Sequence, residues 1–303
     1  MTKFFLLKAP SQKGKIAIVT GANIGLGYET ALGFAKLGAK VILACRNHEK
    51  AEEAKRAILR KVPEADLDIL LIDLKSLGSV RRFAEKFKEK YAKLDLLVLN
   101  AGIMAPPFSK TEDGFESQMA VNYFSHFLLT NLLFPILKKT KDSRIISLSS
   151  IAHRNGKIDF ENINAEKSYS NWEAYSQSKL ACLMFAYELQ RRINSAGINA
   201  KSVAAHPGLS NTNLAQNSPW ISKVLFGPIS KIIGQDAKSG ALPTLMAALE
   251  PSVKGGEYYG PDGFMEAKGN PFKVKSTGLS HNVSIAQKLW QESERLTGQE
   301  FIV

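Results

Sequence analysis

Short continuous apolar runs alternate with longer amphipathic stretches along this 303-residue chain. Ile16-Ala17-Ile18-Val19 has no polar position, the pattern of a strand buried on both faces. Comparable runs at 40–45, 67–72, 94–99, 144–148 and 200–205 predict further strands. Between them, apolar residues recur at three- and four-residue spacing at about 25–37, 49–60, 77–90, 114–138 and 172–195, which predicts helices. Ser76 is placed to cap the third of these, while Gly38 and Gly197 read as helix stops. Strands alternating with helices predict an α/β protein, a doubly wound and mostly parallel sheet flanked by helices. In such a sheet the ligand lies outside the carboxyl ends of the strands. No solenoid-period repeat or low-complexity segment interrupts the pattern.

Composition adds bounds. Hydrophobic residues make up 45% and charged residues 22%, an ordinary globular balance that allows a sizeable core. The candidate motifs run from residue 20 to 212 without a linker, so one domain is expected over 1–303. The two cysteines, Cys45 and Cys182, fit a reducing, cytoplasmic setting better than a disulfide scaffold. Phe4-Phe5-Leu6-Leu7 is far shorter than the roughly 20 apolar residues a membrane helix takes, so no integral membrane segment is expected. The net charge of +12 invites a nucleic-acid reading, but lysines alternate with glutamates at 50–61 and 85–93 and no finger or RNA-binding motif accompanies them. No nucleic-acid partner and no metal site are expected; the positive field suits an anionic dinucleotide.

Two segments carry candidate chemistry. Thr20-Gly21-Ala22-Asn23-Ile24-Gly25-Leu26-Gly27 joins the first strand to the first helix. Glycines there allow positive φ and close backbone approach, and the helix start offers N–H groups to a diphosphate. The bland alternative is a tight turn with no ligand. Further on, Tyr175 and Lys179 stand four apart, on one face of a helix. An ammonium beside a phenol favours the phenolate, so such a pair can exchange a proton with an alcohol or carbonyl. Taken alone, an amphipathic helix carrying both residues by chance explains the spacing equally well.

The wider set of motifs separates these readings. Gly-x-x-x-Gly-x-Gly at 21–27, Asn100-Ala101-Gly102, Asn122, Arg144 to Ser150, Tyr175 with Lys179, and His206-Pro207-Gly208 followed by Thr212 occur in order. In this the chain resembles the short-chain dehydrogenase/reductase family over nearly its whole length. The resemblance implies a single-domain Rossmann fold, completed by a helix at 237–249 and a strand at 257–259, with about 15–150 as its dinucleotide-binding half and 151–303 as its catalytic and substrate-binding half. It implies Tyr175 as acid/base, Lys179 as the residue that steadies the phenolate and the nicotinamide ribose, Ser150 as hydrogen-bond donor to the substrate oxygen, and Asn122 as holder of a relay water. Ser149, next to Ser150, is the alternative serine. His153 either lines the pocket or lies outside it. Cofactor contacts are implied for Gly21, Asn23, Ile24, Gly25, Leu26, Gly27, Asp73, Leu74, Asn100, Ala101, Gly102, Pro207, Gly208 and Thr212. Asp73 has a bland reading as a turn cap.

At the end of the second strand an acidic residue would bond the ribose hydroxyls of NAD(H); this chain has Arg46 instead. A guanidinium there suits a ribose 2′-phosphate, so NADP(H) is expected over NAD(H), with an Arg46 that caps the following helix or simply faces solvent as the alternative. Ala-Cys-Arg-Asn at 44–47, Val-Asn-Tyr-Phe-Ser-His-Phe at 121–127 and the long stretch from Ser150 to Tyr175 resemble the retinol dehydrogenase-like branch, which includes retinol, lipid-aldehyde and steroid reductases. The light-dependent protochlorophyllide reductases are a neighbouring branch. Leu214, Trp220, Ile221, Val224, Leu225 and Phe226 begin an apolar stretch where the family has a substrate lid, so a lipophilic small molecule is expected. A subunit interface is the bland reading of that stretch, and a homo-oligomer is allowed for. A nucleotide-sugar epimerase is disfavoured by the glycine spacing, and a non-catalytic dinucleotide sensor or scaffold by the retained Tyr175 and Lys179.

Overall fold

The apolar run after Lys15 forms β1 (Ile16–Thr20), with Ala17, Ile18 and Val19 fully buried. Successive side chains point to opposite faces, so Ile18 enters one core layer and Ala17 and Val19 the other. The computed structural model describes residues 9–209 and 235–303. The further strands are β2 (Lys40–Cys45), β3 (Leu67–Leu71), β4 (Leu96–Leu99), β5 (Ser143–Leu148), β6 (Ala200–Ala205), β7 (Tyr258–Pro261) and β8 (Pro271–Lys273). Among the described residues they make one sheet of order β3-β2-β1-β4-β5-β6-β7-β8. All pairings are parallel except β7 with β8. Chain order reverses between β1 and β4, where Val19 sits opposite both Leu43 and Val98. That reversal opens the crevice in which ligands of such sheets lie.

Helices cover both faces. On one lie α1 (Gly25–Lys36) and α2 (His48–Leu59), burying Phe34 and Ile58 against β1 and β2. On the other lie α3 (Leu77–Lys90), α4 (Ser117–Leu137) and α5 (Asn171–Ser195), around Phe83, Phe127 and Phe185. Ser76 caps α3 by accepting from Ser79 N at 3.2 Å, and Gly38 and Gly197 follow α1 and α5 with φ of +84° and +64°. α4 is long and apolar enough to cross a membrane, but most of it is buried inside the protein, as a core helix is.

Four differences from the sequence pattern have physical causes. α4 starts at Ser117, not 114, because Gly114 and Phe115 close a turn on Thr111. The helix expected at 237–249 is two, α6 (Ala237–Gly240) and α7 (Leu242–Leu249), with Pro243 in the first turn of the second. Neither β8 nor α8 (Val283–Thr297) was expected. α8 carries legible signals, an Asn282 cap on Ile285 N and Gly298 in the left-handed conformation after its end. β8 is three residues with two exposed side chains, too short to leave a pattern.

Candidate active site

The glycine-rich turn leaves β1 at its carboxyl end. Gly21 and Gly25 have φ of +68° and +60°, and a Cβ on Gly27 would come within 2.3 Å of the Gly21 carbonyl. Ile24 starts α1 in an extended conformation without a side-chain cap. The first N–H groups of α1 therefore have the arrangement that receives a diphosphate. Asn23 is half-buried, Ile24 is exposed, and Leu26 buries its side chain. Cys45 lies beneath: burial raises its thiol to about 11, against the opposing pull of the Ala22 and Asn23 N–H groups.

Thr20 joins this turn to the next. Its hydroxyl accepts from Asn100 N and Ala101 N, both at 2.9 Å, and its carbonyl accepts from Asn100 Nδ2 at 2.7 Å. With both acceptor sites used, the Thr20 proton points to His126 Nε2, 3.0 Å away. That assigns the proton to Nδ1, which donates to the Asn122 carbonyl at 3.1 Å. Burial pushes His126 down to about 4, in keeping with a neutral ring.

Asn122 sits in a π turn of α4, Ala120–Phe124. Its side chain exchanges hydrogen bonds with Ile103 N (2.8 Å) and Ile103 O (3.0 Å) and donates to Ser178 Oγ at 2.9 Å. Its carbonyl also receives the Cys182 thiol at 3.1 Å. These contacts anchor the chain after Asn100-Ala101-Gly102 against α5.

α5 brings Tyr175 and Lys179 to the same place. Lys179 Nζ lies 5.8 Å from the centre of the Tyr175 ring and donates to the Leu148 carbonyl, at the end of β5, at 3.2 Å. A Cβ on Gly102 would stand 3.4 Å from that ammonium. Ser149 is buried and donates to the Lys179 carbonyl at 2.7 Å, tying β5 to α5. Ser150 is partly exposed, accepts from Ala152 N at 3.2 Å and opens the short turn Ile151–Asn155. His153 is buried and bonds back to the Ser150 carbonyl, away from the surface.

Arg46 is exposed just past β2, and the cap of α2 is Asn47, accepting from Lys50 N at 2.9 Å. Asp73 does cap its turn, accepting from Lys75 N, while Leu74 buries its side chain in the core. Pro207 and Gly208 follow β6 with Gly208 at φ +67°. Thr212 and the apolar stretch from Leu214 lie outside the described residues.

A family profile described as short chain dehydrogenase matches residues 15–220. Human retinol dehydrogenase 13 is 40% identical over 294 residues, spanning 95% of this chain and 86% of its own. The chain belongs to the short-chain dehydrogenase family. It is an NAD(P)-dependent oxidoreductase of that family, acting on alcohol groups, in the retinol dehydrogenase-like branch. Human polyprenol dehydrogenase is 34% identical over 95% of this chain and 87% of its own. An uncharacterised protein from Mycobacterium paratuberculosis has the same fold at a TM-score of 0.82, with 39% identity over 98% of each chain. A short chain dehydrogenase from Shigella flexneri, solved with NADP, shares the fold at a TM-score of 0.64 and 23% identity, covering 83% of this chain and 98% of its own.

Within this short-chain dehydrogenase, sequence reasoning missed the Thr20–His126–Asn122–Cys182 chain that links the end of β1 to α5. Its one signal was spacing: His126 is one helical turn beyond Asn122. It also missed Gln118, which holds Ala105 N (2.8 Å), Tyr169 Oη (3.0 Å) and the Asn171 carbonyl (3.0 Å) and so fixes the start of α5.

Proposed function

We infer that the protein moves a hydride between NADP(H) and the alcohol or carbonyl group of a lipophilic substrate of the retinoid, long-chain aldehyde or steroid kind. The observation that carries this reading is the place of Lys179, beside the Tyr175 ring, bonded to the Leu148 carbonyl two residues before Ser150, and with Gly102 next to its ammonium. The uncapped start of α1 and the missing Cβ of Gly27 fit a dinucleotide diphosphate, with Asn100, Ala101 and Gly102 lining the way to Lys179. When bound, the nicotinamide gives or takes the hydride.

The chain's own residues handle the proton. Tyr175 donates its phenolic proton to a carbonyl oxygen or takes one from an alcohol. Lys179 uses one donor on the Leu148 carbonyl and has others for the nicotinamide ribose, while its charge steadies the phenolate. Ser150 hydrogen-bonds the substrate oxygen; Ser149 is spent on the Lys179 carbonyl and supports this choice. A relay water at the Asn122 carbonyl would have to displace the weak Cys182 thiol donor, since His126 holds the other position.

Two features support the finer reading. Arg46 is exposed where a ribose 2′-phosphate would lie and does not cap α2. The relatives named retinol and polyprenol dehydrogenase act, by their names, on long apolar alcohols. The test is NADPH and NADH oxidation with aldehydes of rising chain length, ketones and quinones. Efficiency is expected to rise with apolar length, and small polar carbonyls as best substrates would remove the lipophilic reading. Tyr175→Phe is expected to lower kcat by about a hundredfold or more with cofactor affinity nearly unchanged. Parental turnover in that variant would sink the mechanism.

A further inference from the structure

The loop from β7 to β8 holds two successive non-glycine residues in the left-handed region, Met265 at φ +50° and Glu266 at φ +56°. Strained backbone persists only where its surroundings over-determine it. Apolar burial is not the cause here, because Phe264 is 87% and Met265 67% exposed. The anchors are polar and point inward, through Glu266.

The Glu266 carboxylate stands between two charged or ionisable partners from different elements. Arg154, on the Ile151–Asn155 turn that Ser150 opens, donates to Oε1 at 2.7 Å. His206, at the end of β6 and fully buried, places Nε2 2.9 Å from Oε2, misaligned for a hydrogen bond but in close electrostatic contact. Gly208 N donates to His206 Nδ1 at 3.2 Å, which assigns the imidazole proton to Nε2, facing the carboxylate. Burial opposes the Glu266 charge, yet His206 and Arg154 together hold its pKa below the ordinary carboxylate value.

The backbone completes the junction. Leu209 N donates to the Ala267 carbonyl at 2.8 Å, and a Cβ on Gly208 would come within 2.4 Å of that oxygen. The Pro207-Gly208 turn therefore rests directly on the segment that Glu266 anchors. The Ser150 turn meets the same carboxylate from the other side.

We propose that Glu266 is a positioning residue of the active site: its carboxylate bridges Arg154 on the Ser150 turn and His206 on the Pro207-Gly208 turn and fixes the spacing of the two. The role rests on the proposed function, in which Ser150 bonds the substrate oxygen, and on the cofactor contact that the family resemblance implies for Pro207 and Gly208. Shifting either turn relative to Tyr175 would misplace reacting groups that tolerate little displacement.

The test uses the full chain with Glu266→Ala, Glu266→Gln, Arg154→Met and the double variant Arg154→Met/Glu266→Ala. NADPH affinity is read by fluorescence titration, kcat and KM on the best carbonyl, and amide hydrogen exchange over 206–209 without cofactor. Glu266→Ala is expected to weaken NADPH binding about tenfold and to lower kcat, with faster exchange at 206–209. Glu266→Gln keeps an acceptor for Arg154 and is expected to fall between it and the parent; it carries the test alone if the alanine variant does not fold. The double variant is expected to match the worse single, since both remove one bridge. Parental affinity, kcat and exchange in Glu266→Ala, or additive losses in the double variant, would overturn the proposal. A purely structural role would lower thermal stability while leaving NADPH affinity and kcat per folded molecule unchanged, and that outcome overturns it too. If the parent turns over no carbonyl with either nucleotide, the proposed function fails, and exchange at 206–209 still decides whether Glu266 holds the turn.

Discussion

Arg46 is the single side chain on which the proposed cofactor preference turns. It is exposed and relieved of capping duty by Asn47, so its guanidinium has no structural role at the α2 terminus. Arg46→Asp is expected to leave folding intact and to shift the NADPH/NADH affinity ratio toward NADH by about ten- to a hundredfold, as repulsion replaces a charge-assisted pair. Titration of both nucleotides against both proteins checks it, and equal affinities in the parent would contradict the assignment. The sequence could single this residue out because the end of the second strand is where cofactor chemistry is expected, and the structure adds that the position is exposed and not a cap. Cys182 was not: a thiol on a helix becomes informative only once folding brings it to the Asn122 carbonyl.

Elements were legible where apolar runs are long and uninterrupted. β1, β2 and β6 were anticipated nearly to the residue, because their buried stretches, 17–19, 41–45 and 203–205, are apolar throughout. α8 was overlooked although its cap and its stop are both present, since a C-terminal amphipathic helix has no cofactor motif to draw attention to it. It is energetically central nonetheless. Trp290 is fully buried, stacks on Phe185 with ring centres 5.8 Å apart, meets Phe127 edge-on at 5.1 Å and carries the Arg192 guanidinium 4.2 Å above its ring. Trp290→Ala is expected to cost about 3–5 kcal/mol in urea unfolding, the range for removing a large buried aromatic. A loss under about 1 kcal/mol would mean that α8 contributes little to the core. The element the sequence could not reveal is the β7–β8 loop, because the Glu266 bridge joins residues more than fifty positions apart along the chain.

At the scale of the molecule, several buried imidazoles set how the protein meets acid. His126 has its pKa lowered to about 4 from 6.5, chiefly by burial, so the unfolded chain binds a proton that the folded one refuses. The stability this refusal contributes is present above pH 6.5 and is lost as pH falls from 6.5 toward 4. From pH 7 to pH 5 the loss from His126 alone comes to about 2 kcal/mol. The buried His153 and His206 are lowered in the same direction, again mainly by desolvation, and add to the trend. Urea unfolding at the two pH values is expected to show the drop, and His126→Asn to reduce it; an unchanged difference in that variant would reject the account. The net charge of +12 adds self-repulsion as carboxylates protonate.

The Thr20 hydroxyl has a practical consequence for anyone recombining family members. It contacts Asn100, Ala101 and His126 at once, so the glycine-rich turn that follows it is not a detachable cassette. A graft that starts at Gly21 and ends before Asn100 keeps that junction in its host, whereas one that replaces Thr20 with a residue lacking a hydroxyl strands two backbone donors and an imidazole on a neighbouring helix. Chimeras of these enzymes should therefore be cut after Thr20, not before it.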